Sequence, residues 1–422
     1  MTSPTADGAL EKGLGSGFNR LWTASVASNL ADGIGRTAVP LIATTLTRDP
    51  LLISVVGALA FVPWLLFGVL SGVVVDRVDR RRAMAVANSV RTLAAAAIAL
   101  QISTGTLSIW SLYICVLVWG IGETVYDNAT IAMIPSLVRK NQLEKANSRM
   151  QAADQLVQNF IAQPIAGVLF AVAIVIPVWS TAAGFFVAAA LAFGLPLAAG
   201  RAVHTEDDGS VSLTPRAPTT ARADAHEAWL FLWRNRFLRN MVVVTSAVGG
   251  FLSLAQAALV LFALETLEVP AAAFGLVVAG VGVGAIIGAL VSSSLVARFG
   301  RGRVLFAAST LSGVGAFATG FSPNVYVAIV AFGVCAFAIS VWNVPWGALR
   351  QDIVPGRLLG RVTGLIRTII WGLFPIGTLL GGLIARIDLR LPFIVGGALM
   401  IIVSVAAVRL FLSAGRPTAE LR

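Results

Sequence analysis

Long apolar runs separated by short polar turns fill nearly the whole chain. The stretch 51–75 carries no charge before the turn that starts at Asp76, and 93–122 carries none before Glu123. A helix needs roughly 20 mostly apolar residues to cross the hydrocarbon core of a bilayer. Backbone N–H groups there have no water to bond, so each segment must satisfy its own, which selects helices. The pattern predicts about twelve spans, at 20–46, 50–75, 83–103, 107–134, 148–174, 177–199, 240–264, 271–297, 304–320, 323–349, 360–384 and 391–412. The fold class expected is an all-α membrane protein with twelve transmembrane helices.

Two echoes along the chain divide those spans into pseudo-symmetric six-helix halves. Gly72-Val73-Val74-Val75-Asp76-Arg77-Val78-Asp79-Arg80-Arg81-Arg82 follows the second span, and Leu295-Val296-Ala297-Arg298-Phe299-Gly300-Arg301-Gly302-Arg303 follows the eighth. The loops after the fourth and tenth spans match at a constant offset, Pro135 to Val138 with Leu143 to Asn147 against Gln351 to Val354 with Leu359 to Thr363. Parallel repeats of this kind place a binding cavity between the halves near mid-depth. The expected organisation is an N-terminal tail at 1–19, a first half at 20–200, a linker with an interfacial helix at 201–239, a second half at 240–412 and a C-terminal tail at 413–422. Within the linker, 204–225 is polar and reads as flexible. Residues 228–238 interleave Trp229, Phe231, Trp233 and Phe237 with Arg234 and Arg236, as a helix lying in the membrane interface does, the alternative being that they only begin the seventh span.

Composition agrees: 57% of residues are hydrophobic and 12% charged, about half the charged share of a soluble domain. The net charge of +11 does not point to nucleic acid, because the basic residues sit in alternate loops. Arg77, Arg80 to Arg82, Arg139, Lys140, Lys145, Arg234, Arg298, Arg301, Arg303, Arg357 and Arg361 fall on one side, against Arg48, Arg386 and Arg390 on the other. The positive-inside rule makes the first side cytoplasmic, with both termini inside. Met1 to Gly17 lacks the basic-then-apolar form of a cleavable signal. Cys115 and Cys335 both fall within spans, which argues against a disulfide framework or a metal site. Neither His204 nor His226 has ligand-spaced partners, and there is no phosphate-cradling loop. Gly280-x-Gly282-x-Gly284 with Gly288 lies inside an apolar run rather than after a strand, so it reads as close helix packing. No cofactor is expected.

Charged groups inside spans are expensive and mark function. Asp32 and Arg36 lie one turn apart on the first span, with Asn29 on the same face. They read as a proton or cation site, or as an i,i+4 ion pair that only pins the helix. Glu123 and Asp127 form an acidic i,i+4 pair on the fourth span that should share protons, the alternative being pairing with Arg91 or a loop arginine. Asp154, Gln155, Gln158, Asn159 and Gln163 make a polar strip along the fifth span that is expected to line the cavity or the seam between halves. Trp119 and Trp342 sit well inside their spans and are candidate cavity walls. Trp64, Trp346 and Trp371 lie in or at the ends of spans.

Gly72, Asp76, Arg77, Asp79, Arg80 and Arg81 fit the loop motif Gly-x-x-x-Asp-Arg-x-Gly-Arg-Arg, with Asp79 in place of the second Gly. With Arg20-Leu21-Trp22, Ser28-Asn29-Leu30-Ala31-Asp32 and the loop from Pro135 to Asn147, the chain resembles the major facilitator superfamily, and within it the bacterial exporter branch of enterobactin exporters and macrolide efflux pumps. Gln163-Pro164-Ile165-Ala166-Gly167-Val168 stands where the exporters carry Gly-Pro-x-x-Gly-Gly, and the fourth span carries acids where many proton antiporters carry an Arg. The resemblance implies a secondary transporter of the inner membrane, not an enzyme, that exports a bulky amphipathic drug or siderophore against protons by alternating access. It also implies a clasp between halves at the Asp76–Arg82 turn. Expected partners are a small-molecule substrate, protons and membrane lipids, with no nucleic acid, in a monomer. The alternatives are an importer of a nutrient or siderophore, and a membrane scaffold.

Overall fold

The computed structural model describes residues 14–196, 204–205, 211–212 and 221–415. Most of the tail at 1–19 and much of the linker therefore lie outside the described residues. The helices run in order as α1 Ser16–Leu46, α2 Pro50–Arg77, α3 Arg80–Thr104, α4 Ile109–Leu137, α5 Leu143–Leu156, α6 Ala162–Val172, α7 Ile176–Phe193, α8 Ala221–Arg234, α9 Arg236–Gln256, α10 Leu259–Leu261, α11 Phe274–Phe299, α12 Arg301–Gly320, α13 Val325–Ile353, α14 Gly356–Gly372, α15 Phe374–Ala385, α16 Leu391–Ala406 and α17 Val408–Ser413. Among the described residues the only strands are a two-residue antiparallel pair, His204–Thr205 with Val211–Ser212.

Each predicted span has a helical counterpart. By length and composition, eight helical stretches of the described residues suffice to cross a membrane, and α6 and α16 are shorter apolar helices. The protein is thus a multi-pass helical membrane protein. Several spans expected as continuous are broken. A π-turn at Val157–Ile161 joins α5 to α6, just ahead of Pro164, whose ring nitrogen has no hydrogen to give the turn before it. The eleventh span divides at Leu373, where Pro375 stands in the first turn of α15. The seventh ends in a second π-turn, Phe262–Thr266. Between α8 and α9 the chain turns at Asn235, whose side chain accepts from Leu238 N at 2.7 Å as an N-cap. Residues 228–238 therefore straddle two helices. On α8, Trp229 and Trp233 stack outward with ring centroids 5.3 Å apart, while Ala228 and Leu232 are buried against Leu358 and Val362 of α14.

The apolar core gathers in several clusters: one lies within α1–α7, one is built mainly from α1–α7 but takes in Leu261 of α10, and two lie within α8–α17. The glycine run acts as packing: a Cβ on Gly284 would stand 2.1 Å from the Gly333 carbonyl oxygen, and one on Gly288 2.3 Å from that of Phe337. α11 and α13 touch backbone to backbone there, the small-residue contact that lipid-embedded helices use in place of a hydrophobic drive. Gly284→Val should therefore force the two helices apart. The expected result is a loss of about 3 kcal/mol, at the upper end for an overpacked core, read as a lower unfolding temperature in detergent.

The two groups of helices meet mainly toward one face. There α2 packs on α15 and α6 on α11, and Leu41 and Phe170 join Ala263, Val269 and Phe274 in one apolar cluster. At the same face Arg48 pairs with Glu265 at 3.1 Å, and Arg386 engages Asp49 through both oxygens, with Nε 2.8 Å from Oδ1. Asp49 also caps α2, accepting from Leu51 N at 2.9 Å. The described ion pairs of the opposite face, Arg301–Asp352 and Arg361–Glu227, each stay inside the C-terminal group.

Candidate functional site

The polar face of α1 meets α3, α4 and α5 in two layers. The inner layer is closed. Asp32 is buried and ion-paired with Arg91, which has no exposed surface. Arg91 Nη1 donates to Ser28 Oγ at 3.1 Å and to Asn88 Oδ1 at 3.0 Å, and Trp119 Nε1 donates to Asp32 Oδ1 at 3.0 Å. The guanidinium carbon lies 3.9 Å from the centroid of the Phe185 ring. Gly35 makes room for this arrangement, since a Cβ there would fall 2.0 Å from the Trp119 ring. The alternative reading of Asp32 and Arg36 as an i,i+4 ion pair gives way to an exchange of partners. Asp32 turns inward to Arg91, and Arg36, its side chain 58% exposed, turns out to Glu123 at 11%. The alternative reading of Glu123 as the partner of Arg91 fails with it. Helical spacing put the two α1 side chains on one side, but the cations brought by α1 and α3 settle which acid each one meets.

The outer layer lines a cavity of about 630 Å³. α1, α2, α4 and the α5–α6 segment give most of its wall, including Arg36, Phe61, Trp64, Trp119, Glu123, Asp127, Asp154 and Gln158. The C-terminal group adds Gln256, Arg367, Trp371 and Phe374. Asp154 accepts hydrogen bonds from Asn29 Nδ2 and, at 3.4 Å, from Ser25 Oγ, and Gln158 Nε2 donates to Asn29 Oδ1 at 2.6 Å. Asp127 has no hydrogen-bond partner among the described residues. Glu123 and Asp127 thus share the wall but not a partner.

Not every candidate reaches this space. Trp342 is absent from the cavity wall and is half-buried within the C-terminal group, packed against Val304, Ala308 and Val341 with its ring 5.8 Å from that of Trp346. Gln163 does not line the cavity either; its carbonyl oxygen lies against Gly275 where α6 meets α11. The side chains of Gln155, Asn159 and Asp76 lie outside the described residues. Of the loop motif, Gly72 and Arg77 belong to the last turns of α2. Asp79 is the N-cap of α3, accepting from Arg82 N at 3.1 Å. Arg80 reaches the Ala132 carbonyl at 2.7 Å, and Arg81 those of Phe193 and Leu195 at 3.2 and 3.1 Å, all in the N-terminal group. Among the described residues no cluster of His, Cys, Asp and Glu could hold a metal.

Sequence reading passed over Arg367. Its guanidinium carbon stands 4.3 Å from the Trp64 ring centroid and 4.0 Å from that of Trp371. The available signal was an arginine two turns inside the eleventh span, the same test that flagged Asp32. Arg91 entered only as a partner for Glu123, and the Arg48–Glu265 and Asp49–Arg386 contacts join loops too distant in sequence to pair by spacing.

Two groups of membrane helices around a polar-and-aromatic cavity that reaches both of them define a membrane carrier protein. The family model for transmembrane secretion effectors matches residues 15–420, and the chain belongs to that family of the major facilitator superfamily, whose members are transporters rather than enzymes. It is 23% identical over 394 residues to macrolide efflux protein A of Streptococcus pyogenes, covering 92% of this chain and 94% of that one. It is 24% identical over 359 residues to the enterobactin exporter EntS of Citrobacter koseri, covering 82% and 80%. Among solved structures it is similar in fold to a bacterial homologue of the iron transporter ferroportin (TM-score 0.73, 15% identity, 95% of this chain and 99% of that one). It is likewise similar to the nucleoside transporter NupG (TM-score 0.71, 12% identity, 94% and 99%).

Proposed function

We propose that this chain is a secondary transporter of the bacterial inner membrane that exports a bulky amphipathic small molecule in exchange for protons. It works as a monomer of twelve crossings, with both termini in the cytoplasm and the halves 20–200 and 240–412 rocking about the cavity. The observation that carries the reading is the cavity itself. It is about 630 Å³, walled by both groups of helices, and it sits below a face closed by apolar contact and two ion pairs. Efflux-named relatives along most of the chain support the outward direction. Asp127 and Asp154 are the proposed proton carriers, since neither is ion-paired. Glu123 with Arg36 is proposed to relay the change in charge, and Asp32 with Arg91 to hold α1, α3 and α4 together. The Arg77–Arg81 turn is proposed to clasp the halves when the cytoplasmic side closes. Everted vesicles given a pH gradient and a panel of amphipathic dyes test the reading: proton-dependent accumulation is expected, and its absence across the panel in well-expressed protein refutes it.

The outer face gives a second expectation. The Arg386 hydrogen bonds hold the Asp49 carboxyl below its usual range. A lowered value means that the contact is intact above the ordinary carboxylate range and lost only as pH falls through the lowered one. Between pH 5 and pH 8 the clasp should therefore ignore pH but weaken with salt, because exposed charges are screened over about 8 Å at physiological ionic strength. Alkylation of a cysteine placed at Thr47 should speed up in high salt and in Arg386→Ala, and should be flat across that pH range.

A further inference from the structure

The cavity wall carries five charged side chains, Arg36, Glu123, Asp127, Asp154 and Arg367. Arg36 is tied to Glu123, and Asp154 is held by Asn29 and Ser25. Asp127 sits one turn from Glu123 on α4, within electrostatic reach of Arg36, so its charge is already partly balanced. Arg367 differs in its contacts. It is exposed to the cavity within electrostatic reach of Asp127 and Glu123, but it has no hydrogen bond or ion pair among the described residues, and it stands against the Trp64 and Trp371 rings, set at 84° to one another with centroids 5.4 Å apart. Indole faces stabilise a cation but offer its N–H groups no acceptor. A guanidinium has five donors in one plane and matches two oxygens of a carboxylate at once. Beside it the rings continue, with Phe61 at 6.4 Å from Trp371 and 5.1 Å from Phe374.

The geometry points to Arg367 as the specificity-determining residue of the cavity, recognising a carboxylate-like oxygen anion attached to an aromatic body that rests on Phe61, Trp64, Trp371 and Phe374. The inference rests on the carrier reading above and narrows its cargo from amphipathic molecules in general to amphipathic organic acids. Phe61 and Trp64 come from α2, and Arg367, Trp371 and Phe374 from α14 and α15. The acid is thus gripped by both groups of helices at once, and their separation dismantles its site.

The test uses three probes on one fluorophore: dansyl-phenylalanine, its methyl ester, and the cationic dansylcadaverine. Binding to the full-length protein in nanodiscs of neutral phospholipid is read by energy transfer from tryptophan. The wild type is expected to bind the acid about tenfold more tightly than the ester, a ratio reached by one good charged contact. In Arg367→Gln the ratio should fall to about one, and Arg367→Lys should keep part of it, which a merely structural role for Arg367 would not produce. Asp127→Asn supplies an independent arm: removing an acid whose charge acts on Arg367 should tighten the acid and not the ester. A wild-type ratio of one, tightest binding of dansylcadaverine, a ratio that survives Arg367→Gln, or weaker acid binding in Asp127→Asn would each overturn the inference. Proton-dependent accumulation of the ester in everted vesicles separates the two readings. If the ester accumulates while the acid shows no preference, the carrier stands and the acid specificity falls. If the acid preference holds while nothing accumulates, the reverse follows.

Discussion

Arg91→Leu should unfold the N-terminal helices at markedly lower temperature. Asp32 would remain buried, held by Trp119 alone, with its counter-charge gone. Breaking a buried pair from one side costs about 3–5 kcal/mol, because the remaining charge has neither water nor partner. Ser28 and Asn88 would lose the donor that satisfies them as well. The double variant Asp32→Asn with Arg91→Leu removes both charges and should recover most of that loss. Thermal unfolding in detergent of the two single variants and the double one measures the coupling directly. A single-variant loss no larger than that of an exposed pair, below about 1 kcal/mol, would show that Asp32 is not held by Arg91.

Asp127→Asn should remove proton-driven accumulation while leaving the protein folded. Asp127 lines the cavity with no hydrogen-bond partner among the described residues, so neutralising it breaks no contact in this state. A carboxylate that faces cavity water can gain and lose a proton without dismantling an ion pair, which Asp32 and Glu123 cannot. The expected fall in the accumulation ratio is at least about tenfold, the loss of some 1.4 kcal/mol of coupling. Glu123→Gln leaves Arg36 without its partner and should slow transport yet keep its dependence on the pH gradient. Normal proton dependence in Asp127→Asn, or its loss only in Glu123→Gln, would move the coupling site one turn along α4.

The architecture was legible because bilayer thickness imposes a length and a composition on each helix, and these are local properties of sequence. The runs 51–75 and 93–122 could be read as helices without knowing what they touch. The glycines from Gly280 to Gly288 gave away their packing role for a similar reason, since a four-residue spacing fixes one helical face. The breaks at Leu373 and at the π-turn of 157–161 were harder to read, because a proline tells where strain arises and not how the chain relieves it. Partner choice was not legible. Asp32 and Arg36 are one turn apart and looked like a pair, yet Arg91, 59 residues from Asp32, and Glu123, 87 from Arg36, take them. Only packing brings those groups together. Trp119 and Trp342 present the same local signal, a tryptophan deep in an apolar span, yet Trp119 lines the cavity while Trp342 packs half-buried against the C-terminal group away from it. Arg367 was readable in principle as a charge inside a span, but its aromatic corner joins α2 to α14 across the seam and has no trace in either segment alone.

In the proposed cycle the two groups of helices open the cavity to one face at a time. Spin-label distances measured pairwise in lipid nanodiscs test it most directly, with one pair at Arg82 and Arg298 on the proposed cytoplasmic side and another at Thr106 and Tyr326 on the opposite side, all four exposed positions. A long cytoplasmic distance with a short outer one is expected in the resting protein, with a reciprocal change in both when Arg386→Ala releases the outer clasp. Two distances that stay fixed, or that lengthen together, would contradict it.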